Sequence, residues 1–252
     1  MSVPILEVNA LSKAYGGVRA LSGVSFTLEP GELLAMIGPN GAGKTTCFNM
    51  VNGQTRPDSG AIVFDGRNLV GLKPRQIWRA GVGRTFQVTA TFGSMTVREN
   101  VQMALLAHRR ALRSLFTLAG KQHVEDADAL LEQVGMRGQA GRACSVLAYG
   151  DLKRVELAVA LANKPRLLLM DEPTAGMAPR ERGELMRLVA GLAHRANVAV
   201  LFTEHDMDVV FGHADRIIVL NRGELIAQGR PQDVRGDARV REVYLGSRFA
   251  RA

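Results

Sequence analysis

Two hydrophobic periods divide this chain. Apolar runs of strand length, with no helical period, occur at Leu33-Leu34-Ala35-Met36-Ile37, Leu167-Leu168-Leu169-Met170 and Val198 to Phe202. Runs of this kind suit strands covered on both faces. Shorter stretches at Ile5 to Leu11, Val24 to Leu28 and Ala61 to Phe64 are punctuated by Pro30-Gly31, Ser59-Gly60 and Asp65-Gly66. They predict a small antiparallel sheet. Ile217 to Leu220 and Glu224 to Gln228 flank Asn221-Arg222-Gly223, which predicts a hairpin with Gly223 in the left-handed region.

The helical period takes over elsewhere. Thr96-Val97-Arg98-Glu99 has the form of a capping box, and helical pattern follows through Val134 until Gly135 and Gly138 break it. A second helix is expected after Gly150, with Leu152, Val155 and Val159 on one face. Leu185, Leu188, Val189 and Leu192 give the i, i+3, i+4, i+7 stripe of a helix packed on a sheet, with Pro179 as its first residue. The expected organisation is a single α/β unit. Residues 1–88 and 163–252 form a core with a mainly parallel sheet and a small N-terminal antiparallel subdomain, and 89–162 form an inserted helical subdomain. No internal repeat, linker or low-complexity segment interrupts it.

The stretch Gly38-Pro39-Asn40-Gly41-Ala42-Gly43-Lys44-Thr45-Thr46 has the form G-x-x-x-x-G-K-[ST] of a phosphate-binding loop. It follows a predicted strand and precedes Cys47 to Val51, which read as the first turns of a helix. That is the context the motif requires. Glycines let the backbone aim several N–H groups at one anion, and a helix N-terminus adds partial positive charge. Lys44 is expected to reach the β- and γ-phosphates, and Thr45 to give its hydroxyl to Mg²⁺. Asp171 and Glu172 close the strand that begins at Leu167. Asp171 is placed for Mg²⁺, and Glu172 for the water that attacks the γ-phosphate.

Composition adds bounds rather than chemistry. The chain has 252 residues and a formal net charge of +8. Such a charge suits nucleic acid, an anionic membrane face or phosphate ligands, and does not choose among them. Arg109-Arg110 with Arg113 is a small basic cluster without the interleaved aromatics of single-strand binders. No nucleic acid is expected as partner. Cys47 and Cys144 form no C-x-x-C pair, so neither a metal site nor a disulfide framework is signalled. Cys47 lies two residues past Thr45, where a thiol reagent could disturb nucleotide binding. The sequence opens with no signal peptide, and no apolar stretch approaches the ~18 residues of a bilayer span. A cytoplasmic protein, peripheral on the inner face of the membrane through a partner, is the expectation.

Taken together these motifs resemble an ATP-binding cassette ATPase, and the resemblance covers nearly all of the chain. The resemblance implies the following roles. Tyr15 stacks on adenine, and Gly38 to Thr46 hold the phosphates of ATP. Gln87, in Arg84-Thr85-Phe86-Gln87, contacts Mg²⁺ and the attacking water and senses a transmembrane permease. Leu147-Ala148-Tyr149-Gly150-Asp151 is the signature motif, whose Ala148, Tyr149 and Gly150 bind ATP held by the opposite subunit of a homodimer or heterodimer. Asp171 and Glu172 are the second phosphate motif and catalytic glutamate, and His205 is the switch histidine on the γ-phosphate. Three positions depart from the usual form: Ala148 replaces a serine, Asp151 a glutamine, and Ala178 an acid or amide.

The flanks Gly83 to Gln87, Thr203-Glu204-His205-Asp206-Met207 and Val243-Tyr244-Leu245-Gly246 are similar to ATP-binding subunits of branched-chain amino acid importers. A solute-binding protein would then act indirectly. Importers of amides or urea share most of these features, the lipopolysaccharide-export ATPase is a second resemblance, and a soluble cassette ATPase acting on nucleic acid or ribosomes is a further reading. A non-catalytic nucleotide switch is argued against by the intact Lys44, Glu172 and His205.

Overall fold

A computed structural model describes residues 3–85, 91–108 and 123–242. Two sheets organise them. The first is antiparallel: β1 (Leu6–Tyr15) pairs with β2 (Val18–Leu28) and β4 (Ser59–Phe64), and β4 with the short β5 (Arg67–Asn68). β1 extends four residues beyond the apolar run because Lys13, Ala14 and Tyr15 stay paired with β2, and a bulge breaks its alternation on the way. Ala10 takes φ +47° with its N–H on Ser25 Oγ, and the register shifts between Val8 and Leu11.

The second sheet is six-stranded. Its strands are β3 (Leu33–Ile37), β6 (Val82–Thr85), β7 (Leu167–Asp171), β8 (Ala199–Thr203), β9 (Arg216–Asn221) and β10 (Glu224–Gly229), in the spatial order β10-β9-β3-β8-β7-β6. β9, β3, β8, β7 and β6 run parallel, and only β10 is antiparallel. The β9–β10 turn is a two-residue connection in which both Arg222 (φ +49°) and Gly223 (φ +82°) are left-handed, so arginine as well as glycine occupies the region expected for Gly223 alone.

The central sheet divides the core in two. Leu33, Ala35 and Ile37 of β3, with Val200 and Phe202 of β8, face a cluster that includes Val155, Leu185 and Val189. Leu34 and Met36, with Ala199 and Leu201, face a cluster built from the antiparallel sheet and Phe48. Strand alternation therefore sends successive side chains into different cores.

The helices are α1 (Lys44–Val51), α2 (Pro74–Ala80), α3 (Val97–His108), α4 (Val124–Gln133), α5 (Tyr149–Leu161), α6 (Pro179–Ala196), α7 (Met207–His213), α8 (Pro231–Gly236) and the single turn α9 (Ala238–Val240). α3 opens on the expected capping box. The Thr96 N–H donates to Glu99 Oε2 at 2.7 Å, and the Glu99 N–H to Thr96 Oγ1 at 3.2 Å. α5 starts at Tyr149, inside the signature stretch rather than after Gly150.

Parallel pairing places the carboxyl ends of β3, β7 and β8 side by side, with Met36 opposite Thr203 and Thr203 opposite Asp171. In open α/β sheets, ligands bind at that end.

Candidate functional site

The loop from β3 to α1 is backed by other chain segments at two glycines. A Cβ on Gly38 would lie 2.2 Å from the Leu220 carbonyl, and one on Gly43, at φ +105°, would lie 2.5 Å from the Ala20 carbonyl. The hairpin tip also grips the loop: the Gly223 N–H donates to the Ala42 carbonyl at 3.0 Å. Asn40 and Gly41 sit exposed at the crest, between Pro39 and the buried Ala42.

Gly43 is the N-cap of α1 and offers no side-chain cap, so the first-turn N–H groups stay available to an anion. Thr45 is exposed and Thr46 half-buried on that turn. Lys44 is buried, and its Nζ donates to the carbonyls of Gly38 (2.7 Å) and Pro39 (3.2 Å). Burial pushes its ammonium below the ordinary lysine pKa, while Glu172 and then Asp171 pull it back. An ammonium hydrogen-bonded to loop carbonyls is poised to exchange them for phosphate oxygens.

The acids follow from β7 and β8. Thr203 Oγ1 donates to Asp171 Oδ1 at 2.7 Å, and the Glu172 N–H donates to the Thr203 carbonyl and hydroxyl at 3.1 Å each. Glu172 takes φ +49°, uncommon for a residue with a side chain. Glu172 Oε1 lies 2.8 Å from His205 Nε2. Lys44, Asp171, Glu172 and His205 are thus gathered at one end of the sheet.

The family model for "ABC transporter" matches residues 21–175, well over half of the chain, and spans both the phosphate loop and the paired acids. The chain belongs to the ABC transporter family. It is an ATPase of that family, and its fold is that of an ATP-binding cassette. A second model, described as "Branched-chain amino acid ATP-binding cassette transporter", matches residues 224–250. The chain is 41% identical over 98% of its length to the "high-affinity branched-chain amino acid transport ATP-binding protein LivG" of Escherichia coli (strain K12), covering 99% of that protein. Its likeness to the "lipopolysaccharide export system ATP-binding protein LptB" of Haemophilus influenzae is lower, 36% over 97% of this chain and 98% of that one. Among solved structures, the ADP conformation of a cassette from an ABC transporter superposes with a TM-score of 0.87 at 30% identity, covering 98% of this chain and all of that one. A dimeric cassette in a post-hydrolysis state with ADP and phosphate gives 0.75 at 25% identity, covering 90% and 98%.

The remaining sequence-predicted residues among those described lie on other elements. Tyr15 ends β1 with its ring half exposed and Lys13 Nζ 5.4 Å from the ring centroid. Gln87 lies outside the described residues. Ala148 caps α5 through its backbone alone, at φ −63° and ψ 152°. The Tyr149 ring packs against Gly176, where a Cβ would meet it at 3.4 Å, and a Cβ on Gly150 would meet the Glu181 carboxylate at 3.2 Å. Asp151 accepts a hydrogen bond from Gln139 Nε2 at 3.0 Å, which occupies this first-turn acid within its own chain.

Cys47 is fully buried, and burial pushes its thiol up to about 12. Burial and a raised thiol pKa both oppose attack by a thiol reagent there.

Sequence reasoning missed Glu204. This buried carboxylate accepts the Thr174 N–H (2.8 Å) and hydroxyl (2.7 Å) on Oε1, and the His205 N–H (3.2 Å) on Oε2. It fastens the loop after Glu172 to the residue before His205. Arg182 adds a second tie, through the Met177 carbonyl at 2.7 Å and the carboxylate of Asp206. The only signal in the sequence was an acid directly after a buried strand.

The hydroxyl of Thr45 and the carboxylate of Asp171 are hard oxygen donors, and they fit Mg²⁺ held jointly with a nucleotide. Among the described residues, no group of three or more His, Cys, Asp or Glu could hold a metal ion by itself.

Proposed function

We propose that this chain is the ATP-hydrolysing subunit of an importer for branched-chain amino acids. The match at 224–250 and the printed function of the 41%-identical relative support that solute class. The lower likeness to LptB leaves lipopolysaccharide export the weaker reading.

The single geometric observation that carries the mechanism is the Glu172–His205 contact at 2.8 Å beside Lys44. Glu172 is the residue that orients and deprotonates the attacking water, and His205 fixes the orientation of that carboxylate and meets the γ-phosphate. Lys44 leaves the Gly38 and Pro39 carbonyls for the β- and γ-phosphate oxygens. Thr45, Asp171 and Gln87 would hold Mg²⁺, which when bound neutralises charge on the transferred phosphate. Tyr15 stacks on adenine, and Gly38, Pro39, Asn40, Gly41, Ala42, Gly43 and Thr46 line the phosphates.

Two such cassettes, alike or different, would close face to face. Each ATP would lie between Gly38–Thr46 of one and Leu147–Asp151 of the other, where Ala148, Tyr149 and Gly150 offer backbone N–H groups and the α5 dipole in place of a serine hydroxyl. The dimeric relative supports pairing as a mode of this fold. Residues 89–162 act as the helical unit that carries the signature stretch. Closure is transmitted through the Gln87 region to transmembrane permease subunits at the inner face of the membrane, and no helix of the described chain is itself long and apolar enough to cross it.

Reconstitution tests this reading. The chain, with its cognate permease and solute-binding protein in proteoliposomes, should drive ATP-dependent leucine accumulation. ATP turnover without any response to leucine, isoleucine or valine would reject the solute class.

A further inference from the structure

Arg84 touches both walls of the phosphate site. It sits on β6, the strand next to β7, and its side chain is largely buried. One terminal nitrogen, Nη2, is 3.7 Å from Asp171 Oδ2. The other, Nη1, donates to Asn49 Oδ1 of α1 at 3.2 Å and to Gln54 Oε1, just past α1, at 3.0 Å. α1 is the helix whose first turn carries Lys44 and Thr45. One guanidinium therefore spans the two elements assigned to the metal side of the site. A planar fork with donors on both ends can do this, whereas an ammonium is a point charge. Arg84 and Gln54 also line an open groove of about 370 Å³ with Asn52, Trp78, Val82 and Val159, so the outer end of the same side chain faces solvent-accessible space.

We propose that Arg84 is a positioning residue that braces Asp171 against α1 when no metal is present and gives up the carboxylate when the metal arrives. Asp171 Oδ1 is already committed to Thr203, and Oδ2 faces Arg84. An entering dication competes with the guanidinium for that oxygen. Because coupling is reciprocal, whatever pulls Arg84 toward Asn49 and Gln54 favours the metal, and metal entry pushes Arg84 toward the groove. The inference rests on Asp171 being the metal carboxylate.

The test measures manganese binding to the purified full chain loaded with a non-hydrolysable ATP analogue, by the loss of the free-ion electron paramagnetic resonance signal. Arg84→Gln removes a like charge beside the carboxylate and should tighten manganese roughly three- to tenfold. Analogue affinity in EDTA should move less than about twofold, since Lys44 and the loop are untouched. Arg84→Lys keeps the charge and should not tighten it. Gln54→Ala, at an exposed groove position, releases the outer end toward Asp171 and should weaken manganese about twofold. The Arg84→Gln effect should vanish when Asp171 is already Asn.

Unchanged or weaker manganese binding in Arg84→Gln, or the same shift with and without Asp171, overturns the brace. If Asp171→Asn alone leaves manganese affinity unchanged, the assignment of Asp171 fails, and the brace falls with it.

Discussion

Glu204 offers the most quantitative test of how the site is held. Its carboxylate, only 3% exposed, accepts three hydrogen bonds from Thr174 and His205. Glu204→Ala leaves two N–H groups and one hydroxyl without their acceptor in a buried place. Each orphaned donor costs about 1–3 kcal/mol, and the three share one cavity, so the loss should be roughly 3–5 kcal/mol rather than the full sum. Glu204→Gln keeps the shape, and its amide oxygen can still serve Thr174. Its NH₂ then faces the His205 N–H, donor against donor, so about 1–2 kcal/mol is lost. The catalytic consequence is larger than the stability loss implies, because the tie runs beside both Glu172 and His205. Phosphate release by Glu204→Gln should fall about tenfold or more with nucleotide affinity nearly unchanged, as expected when orientation is lost and binding is kept. Urea unfolding gives the stability difference, and a phosphate-release assay with a nucleotide titration gives the rest. An alanine variant within about 1 kcal/mol of the parent, turning over at the parental rate, would refute the reasoning.

Two other outcomes follow from burial. Iodoacetamide at pH 7.5 should leave Cys47 unmodified in the folded chain and modify it in urea, as read by mass spectrometry, because its thiol is buried and pushed up to about 12; modification at the rate of a free thiol would contradict this. The His213 pKa is lowered by burial first and Arg187 second, so the unfolded chain takes up this proton more readily than the folded one. The corresponding stability is fully present above the ordinary histidine value, about 6.5, and declines as pH falls below it. His213→Gln should therefore flatten the fall of the urea midpoint between pH 7 and pH 5, and an unchanged slope would exclude His213 as a contributor.

Legibility differed by element for physical reasons. β3, β7 and β8 are buried on both faces, so they appear as apolar runs, and their boundaries differ from those runs by a residue at most. β6 was invisible: Val82-Gly83-Arg84-Thr85 has neither a run nor an alternation, and it exists because β7 supplies its partner. β1 and β2 outran their hydrophobic segments, since hydrogen bonding to a neighbour extends a strand past the residues that reach the core.

At the site, Lys44 and Asp171 could be named from the phosphate loop and the strand end, and Glu172 from its place one residue past β7, whereas the role of His205 came from the family resemblance. Their mutual geometry could not be read in advance. The φ of +49° at Glu172 and the Glu204 clasp depend on β7 and β8 lying side by side, about 30 residues apart in sequence. Arg84 was only a flank to Gln87 until the sheet order set it against Asp171.

The dependence of turnover on the Glu172 carboxylate can be measured with one substitution. Glu172→Gln keeps the size of the side chain and the phosphate loop but removes the base, and loss of general base catalysis lowers turnover about 10²–10⁴-fold. Incubated with ATP and Mg²⁺ and passed through a sizing column, with a sister cassette if one is required, the variant should elute as a cassette pair retaining unhydrolysed ATP. Elution as a single cassette with hydrolysis at the parental rate would contradict both the role of Glu172 and the shared nucleotide.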